Sequence, residues 1–159
     1  MTPVLRHAES DADLRTCFPL MQVLRPHLQD STAFAARVRR QGQVGYRLLA
    51  AWDGDAPVGL AGYRPQENLI RGPFCYVDDL VVAEAARRHG VGALLLDGVR
   101  AEARAARLPH LVLDTALDNA LGQRFYFRYG MLPAALRFAM PLTTPLTTPL
   151  TMPLGEPAR

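Results

Sequence analysis

The segment Asp78-Asp-Leu-Val-Val-Ala-Glu-Ala-Ala-Arg-Arg-His-Gly-Val-Gly-Ala-Leu-Leu95 decides the reading of this chain. An apolar run from Phe74 to Val82 gives way to a short polar loop with two glycines, and from Val91 the apolar residues recur at helical spacing. A strand that turns through glycines into a helix gathers backbone N–H groups at a helix amino terminus. There, unpaired donors and the helix dipole favour an anion such as a pyrophosphate. Gly90 and Gly92 permit close approach of backbone to ligand, and Arg87 and Arg88 add charge at the rim. The same residues also suit a plain strand-to-helix turn with tight packing.

Downstream, Val91, Leu94, Leu95 and Val99 form one helix face, with Arg100, Arg104 and Arg107 largely off it. Leu111 to Leu113 reads as a short buried strand, which implies an α/β unit with a right-handed crossover from Phe74–Val82. Asp118 or Asn119 caps a further helix in which Gly122, Phe125, Tyr126 and Tyr129 share a face and Gly130 ends it; a last strand is expected over about Ala135 to Met140.

Upstream, Val4 to Arg6 is a short strand, and Ser10-Asp11 caps a helix carrying Leu14, Cys17, Phe18, Met21 and Leu24 that ends near Arg25-Pro26. A weaker helix spans Ser31 to Arg40. Strands Tyr46 to Trp52 and Val58 to Tyr63 flank Asp53-Gly-Asp55 as a hairpin, and Asn68 to Pro73 is a turn-rich link. From Pro141 a proline at every fourth position disfavours a sheet strand, so the expected organisation is one domain over residues 1–140 and a Pro/Leu/Thr tail over 141–159.

Composition narrows the function classes. A chain of 159 residues with 49% hydrophobic and 21% charged residues suits one globular domain and excludes a mainly disordered chain. No apolar stretch approaches a membrane span, and Met1 to Ser10 lacks the apolar run of a secretory leader, so a cytoplasmic protein without membrane partners is expected. All 18 basic residues are arginine, which excludes Schiff-base lysine chemistry and the P-loop lysine. The net charge of +3 is spread thinly, without the basic stripe of a nucleic-acid partner. Cys17 and Cys75 read as two buried free thiols in a reducing compartment. His7, His27 and His110 have no metal-ligand spacing, so no metal is expected, and the only serines, Ser10 and Ser31, sit at helix caps rather than in a hydrolase site.

Two motifs carry a family resemblance. Arg87-x-x-Gly90-x-Gly92 resembles the acetyl-CoA signature of the GNAT superfamily of N-acetyltransferases. Asn119-x-x-Gly122-x-x-Phe125-Tyr126-x-x-x-Gly130-Met131 is similar to a second family pattern, departing from it by Gly122 for alanine and Met131 for phenylalanine. The resemblance implies a mixed, largely antiparallel twisted sheet with two splayed parallel strands at the cofactor site, flanked by helices, and acetyl-CoA as co-substrate. It implies that backbone groups of Leu80, Val81 and Val82 pair with pantetheine and polarise the acetyl carbonyl. The amides of Arg87, Arg88, His89, Gly90, Val91, Gly92 and Ala93 would then hold the pyrophosphate, Asn119 would contact the pantetheine arm, and Tyr126 would protonate the departing thiolate.

An attacking amine must lose a proton, and Asp78 and Asp79 interrupt an otherwise apolar strand. Adjacent strand residues face opposite sides unless a bulge intervenes. Tyr76-Val-Asp78-Asp79 resembles a segment of diamine acetyltransferases in which the first acid lies at the substrate. Asp78 is therefore the preferred base or acceptor anchor and Asp79 the alternative; a backbone- or arginine-satisfying role stays open for both. The implied acceptor is a primary amine of a small or polyamine-like molecule. A protein amino terminus or lysine is one alternative and a non-catalytic acyl-CoA sensor another. Exposed edge strands make a homodimer an expectation.

Overall fold

The computed structural model describes residues 3–142. They fall in two compact units, Met1–Leu113 and Asp114–Arg159. The expected tail, but for Pro141 and Leu142, lies outside the described residues.

In the first unit the elements run β1 (Val4–His7), α1 (Asp11–Leu24), α2 (Ser31–Gly42), β2 (Arg47–Asp53), β3 (Ala56–Asn68), β4 (Gly72–Val82), α3 (Val91–Ala105) and β5 (Leu111–Leu113). The five strands form one sheet in sequence order, antiparallel except for β4 and β5, which are parallel across the α3 crossover. The start of α1 follows from a reciprocal capping box: Ser10 Oγ accepts from the Asp13 amide at 3.0 Å while Asp13 accepts from the Ser10 amide. For α2 the cap is Asp30, which accepts from the Ala33 amide, and not Ser31, which lies inside the first turn.

Two hydrophobic layers cover the sheet. Alternation along β2 sends Leu48, Ala50 and Trp52 to one face, where they join Leu14, Cys17 and Met21 of α1 and Phe34 of α2. The opposite face carries α3, whose buried residues are Val91, Leu95, Leu96, Val99 and Ala103; Leu96 rather than Leu94 completes the stripe. Two glycines let this helix lie close. A Cβ on Gly59 would stand 2.8 Å from both Leu95 and Val91, and one on Gly98 would stand 2.7 Å from Leu5. Glu102 of α3 also accepts from Arg47 at 2.6 Å and from the Tyr63 hydroxyl and lies 3.1 Å from His7, tying the helix to β1, β2 and β3. The depth and tilt of α3, and hence of the loop before it, are fixed by these contacts.

β3 runs beyond the expected Tyr63 to Asn68. Its partner β2 ends opposite Tyr63, so Pro65, which has no N–H to donate, sits where β3 pairs only with β4. β5 is half-buried rather than buried. The second unit contains α4 (Ala120–Tyr129), closed by Gly130 at φ 92°. The expected strand over Ala135–Met140 is not formed: residues 131–142 carry no regular secondary structure, and Leu136 and Phe138 are exposed. Side-chain alternation alone does not make a strand, which also needs a partner for its backbone hydrogen bonds.

Candidate active site

The loop between β4 and α3 is built as the glycine spacing requires. A single 3-10 turn, Glu84–Ala86, leads into Arg88 at φ 62° and Gly90 at φ 82°, both left-handed. The Gly90 carbonyl accepts from Leu94 at 2.9 Å, the first bond of the α3 ladder, so the amides of Val91, Gly92 and Ala93 precede it. A Cβ on Gly90 would meet nothing within 4 Å, so the space above the turn is open. Arg87, Arg88 and His89 are exposed; Arg87 Nε donates to the Val82 carbonyl at 3.4 Å, and His89 Nδ1 lies 2.7 Å from the Arg87 carbonyl.

β4 supplies the second wall. Leu80, Val81 and Val82 pair with Ala61, Leu60 and Gly59 of β3 on one edge. On the other edge β5 reaches only Cys75, Tyr76 and Val77, so residues 78–82 have no strand beside them among the described residues. An open strand edge that leads into a loop of convergent amides fits the amide-bearing arm and pyrophosphate of acetyl-CoA.

A bulge lies at the aspartates. Gly62 stands opposite Asp79 and Tyr63 opposite Val77, which leaves Asp78 as the extra residue of β4. Both carboxylates thereby reach groups on the α1 face. Arg64 Nε donates to Asp78 Oδ2 at 2.8 Å and its Nη2 donates to Oδ1. Arg25, just past α1, donates from Nε to Asp79 Oδ1 and from Nη2 to the Asp78 carbonyl, each at 2.8 Å. The Tyr46 hydroxyl donates to Asp79 Oδ2 at 2.9 Å, and the Arg64 guanidinium lies 5.9 Å from the Tyr46 ring centre. Burial, then the charge of Asp79, push the Tyr46 phenol well above its ordinary pKa, so it remains a donor. The arginine-satisfying role left open for the aspartates is thus present for both.

Tyr46 and Arg64 are marked by no motif, and Arg25 only as the residue near which the first helix ends. Period-2 alternation places Tyr46 with Leu48, Ala50 and Trp52, and Arg64 with Gly62 and Leu60, but nothing in the linear order pairs them with acids 14 to 54 residues away. Among the described residues no group of three His, Cys, Asp or Glu side chains could hold a metal ion.

In the second unit Asn119, not Asp118, caps α4. Its Oδ1 accepts from the Gly122 amide at 2.9 Å and its Nδ2 donates to Thr115 at 3.1 Å. At the departure Gly122 a Cβ would come within 2.4 Å of Asn119 Nδ2 as that side chain is placed. Tyr126 is half-buried, packs edge-on to Phe125 with ring centres 5.3 Å apart, and its phenol pKa is raised by burial.

The acetyltransferase (GNAT) family profile matches residues 11–131, and the chain belongs to that family. It is an acetyl-CoA-dependent N-acetyltransferase. A curated relative, "Uncharacterized N-acetyltransferase YhdJ" of Bacillus subtilis strain 168, is 27% identical over 122 residues, covering 77% of this chain and 86% of its own length. An acetyltransferase of Trypanosoma brucei shares the fold with a TM-score of 0.75 at 20% identity, over 87% of this chain and 99% of its own. So does the aminoglycoside N-acetyltransferase AAC(6')-Iy in complex with a bisubstrate analogue, with a TM-score of 0.76 at 16% identity, over 89% and 99%. No helix among the described residues is long and apolar enough to cross a membrane.

Proposed function

We propose that the protein transfers the acetyl group of acetyl-CoA to the primary amine of a small molecule by direct attack within a ternary complex. The observation that carries this reading is the open edge of β4 over residues 78–82 running into the left-handed loop and free amides of α3. Acetyl-CoA supplies an activated thioester and a thiolate leaving group. The amides of Val91, Gly92 and Ala93 bind the pyrophosphate, with those of Arg87, Arg88, His89 and Gly90 beside them, and the backbone of Leu80, Val81 and Val82 aligns pantetheine and donates toward the acetyl oxygen.

As the C–N bond forms and the C–S bond breaks, the amine loses one proton and the sulfur gains one. Asp78 takes the first, directly or through a water, since each carboxylate oxygen keeps a lone pair beyond its bond to Arg64. Asp79 is the alternative. Tyr126 provides the second; a phenol whose pKa is raised by burial is fully protonated at neutral pH. Asn119 contributes to the pantetheine arm through the loop it caps.

Thiol release from acetyl-CoA with a panel of small amines tests the reading, alongside a peptide with a free amino terminus and an internal lysine. Turnover of small amines is expected. Turnover confined to the peptide would move the acceptor to protein, and absence of turnover with every amine would defeat the proposal.

A further inference from the structure

We infer that the acceptor is an amine that also bears a carboxylate, bound through the outward guanidinium edges of Arg64 and Arg25, and not a polycation. This deepens the proposed small-amine activity and rests on it. The acids of the β4 bulge are covered and their arginines are not: the side chains of Asp78 and Asp79 are 16% and 13% exposed, those of Arg64 and Arg25 27% and 42%. All four carboxylate oxygens already accept hydrogen bonds, from Arg64, Arg25 and Tyr46. A guanidinium has five N–H donors in a planar fork. Arg64 and Arg25 each use Nε and Nη2, and no described residue accepts from Nη1 of either.

Two acids and two arginines cancel in formal charge, and each carboxylate oxygen already holds a donor while the guanidinium groups keep unused ones. An ammonium group has only donors and meets lone pairs already shared with the arginines and Tyr46; a carboxylate finds two guanidinium edges matched to its geometry. Both arginines are bonded to the bulge beside the open edge of β4, so an acceptor held by its carboxylate there lies next to the proposed thioester position.

The test compares matched acceptors by thiol release: α- and ω-amino acids, their amides, the corresponding monoamines, and the polycations putrescine and spermidine. The expected result is a kcat/KM at least about tenfold higher for an amino acid than for its amide, carried by KM (about 1.4 kcal/mol). Arg64→Gln should lose that preference and gain diamine turnover as Asp78 is uncovered, while Arg64→Lys retains part of it. Without acetyl-CoA, titration with the N-acetylated amino acid should shift the arginine Nε–H resonances lost in the Arg25→Gln and Arg64→Gln variants. Equal or better turnover of amides and polycations, unchanged by Arg64→Gln, would overturn the inference and leave the proposed function standing. No turnover with any small amine would overturn both.

Discussion

The Tyr46 hydroxyl reaches Asp79 Oδ2 at 2.9 Å through space that Gly62 leaves vacant: a Cβ on Gly62 would lie 2.0 Å from that hydroxyl and 2.8 Å from the carboxylate. The bulged register of β3 and β4, which sets Gly62 opposite Asp79, thereby decides which side chain supports the acid. Gly62→Ala must displace the phenol, and it should destabilise the fold by about 1–3 kcal/mol, as overpacking does. Tyr46→Phe keeps the ring and removes only the donor, for a loss of about 1–3 kcal/mol. Urea unfolding of both variants checks the pair; unchanged midpoints would show that the bond contributes nothing.

Tyr126→Phe should lower kcat by about 100-fold or more, the usual range for a general acid, with the KM for acetyl-CoA roughly unchanged. Steady-state thiol release at saturating acceptor measures this. Normal turnover would remove Tyr126 from the chemistry.

The cap of α4 predicts non-additivity. Asn119→Ala should cost about 1 kcal/mol. Gly122→Ala gains about 1 kcal/mol of helix propensity but strikes the Asn119 side chain, so alone it should change stability little. In the Asn119→Ala background the same change should stabilise by about 1 kcal/mol. A double-mutant cycle by chemical denaturation reads the coupling, and strict additivity would mean that cap and glycine are independent.

Stability should fall at alkaline pH. Burial is the first cause that pushes the thiol of Cys17 up to about 12 and that of Cys75 up to about 11. In the unfolded chain thiols ionise near about 8.5, so above that pH the unfolded state holds fewer protons than the folded state and is favoured as pH rises. The contribution is complete below about pH 8.5 and is lost progressively toward the two raised values. Urea midpoints across pH 8 to 11 test this, and the slope should be shallower in Cys17→Ala even though that variant is less stable throughout.

The loop proposed to bind phosphate was legible because its chemistry is local: glycines, a preceding apolar run and a following helical period lie within 18 contiguous residues, Asp78 to Leu95. The parallel β4 and β5 pair was legible for the same reason. The bulge at Asp78 was foreseen only as a way to bring two acids together, because strand register is a property of the partner strand. The pairing of Asp78 with Arg64, and of Asp79 with Arg25 and Tyr46, depends on three elements meeting and left no mark in spacing. Ala135–Met140 was expected as a strand because its composition suits a sheet, but residues 131–142 carry no regular secondary structure.

Calorimetric titration of acetyl-CoA into Gly92→Glu tests whether the loop before α3 binds acetyl-CoA. A glutamate in the first turn suits the helix dipole, so circular dichroism should show α3 intact, while its carboxylate stands where the pyrophosphate is proposed to bind. A Kd at least about tenfold weaker than that of the native chain is expected. An unchanged Kd in a folded variant would contradict it.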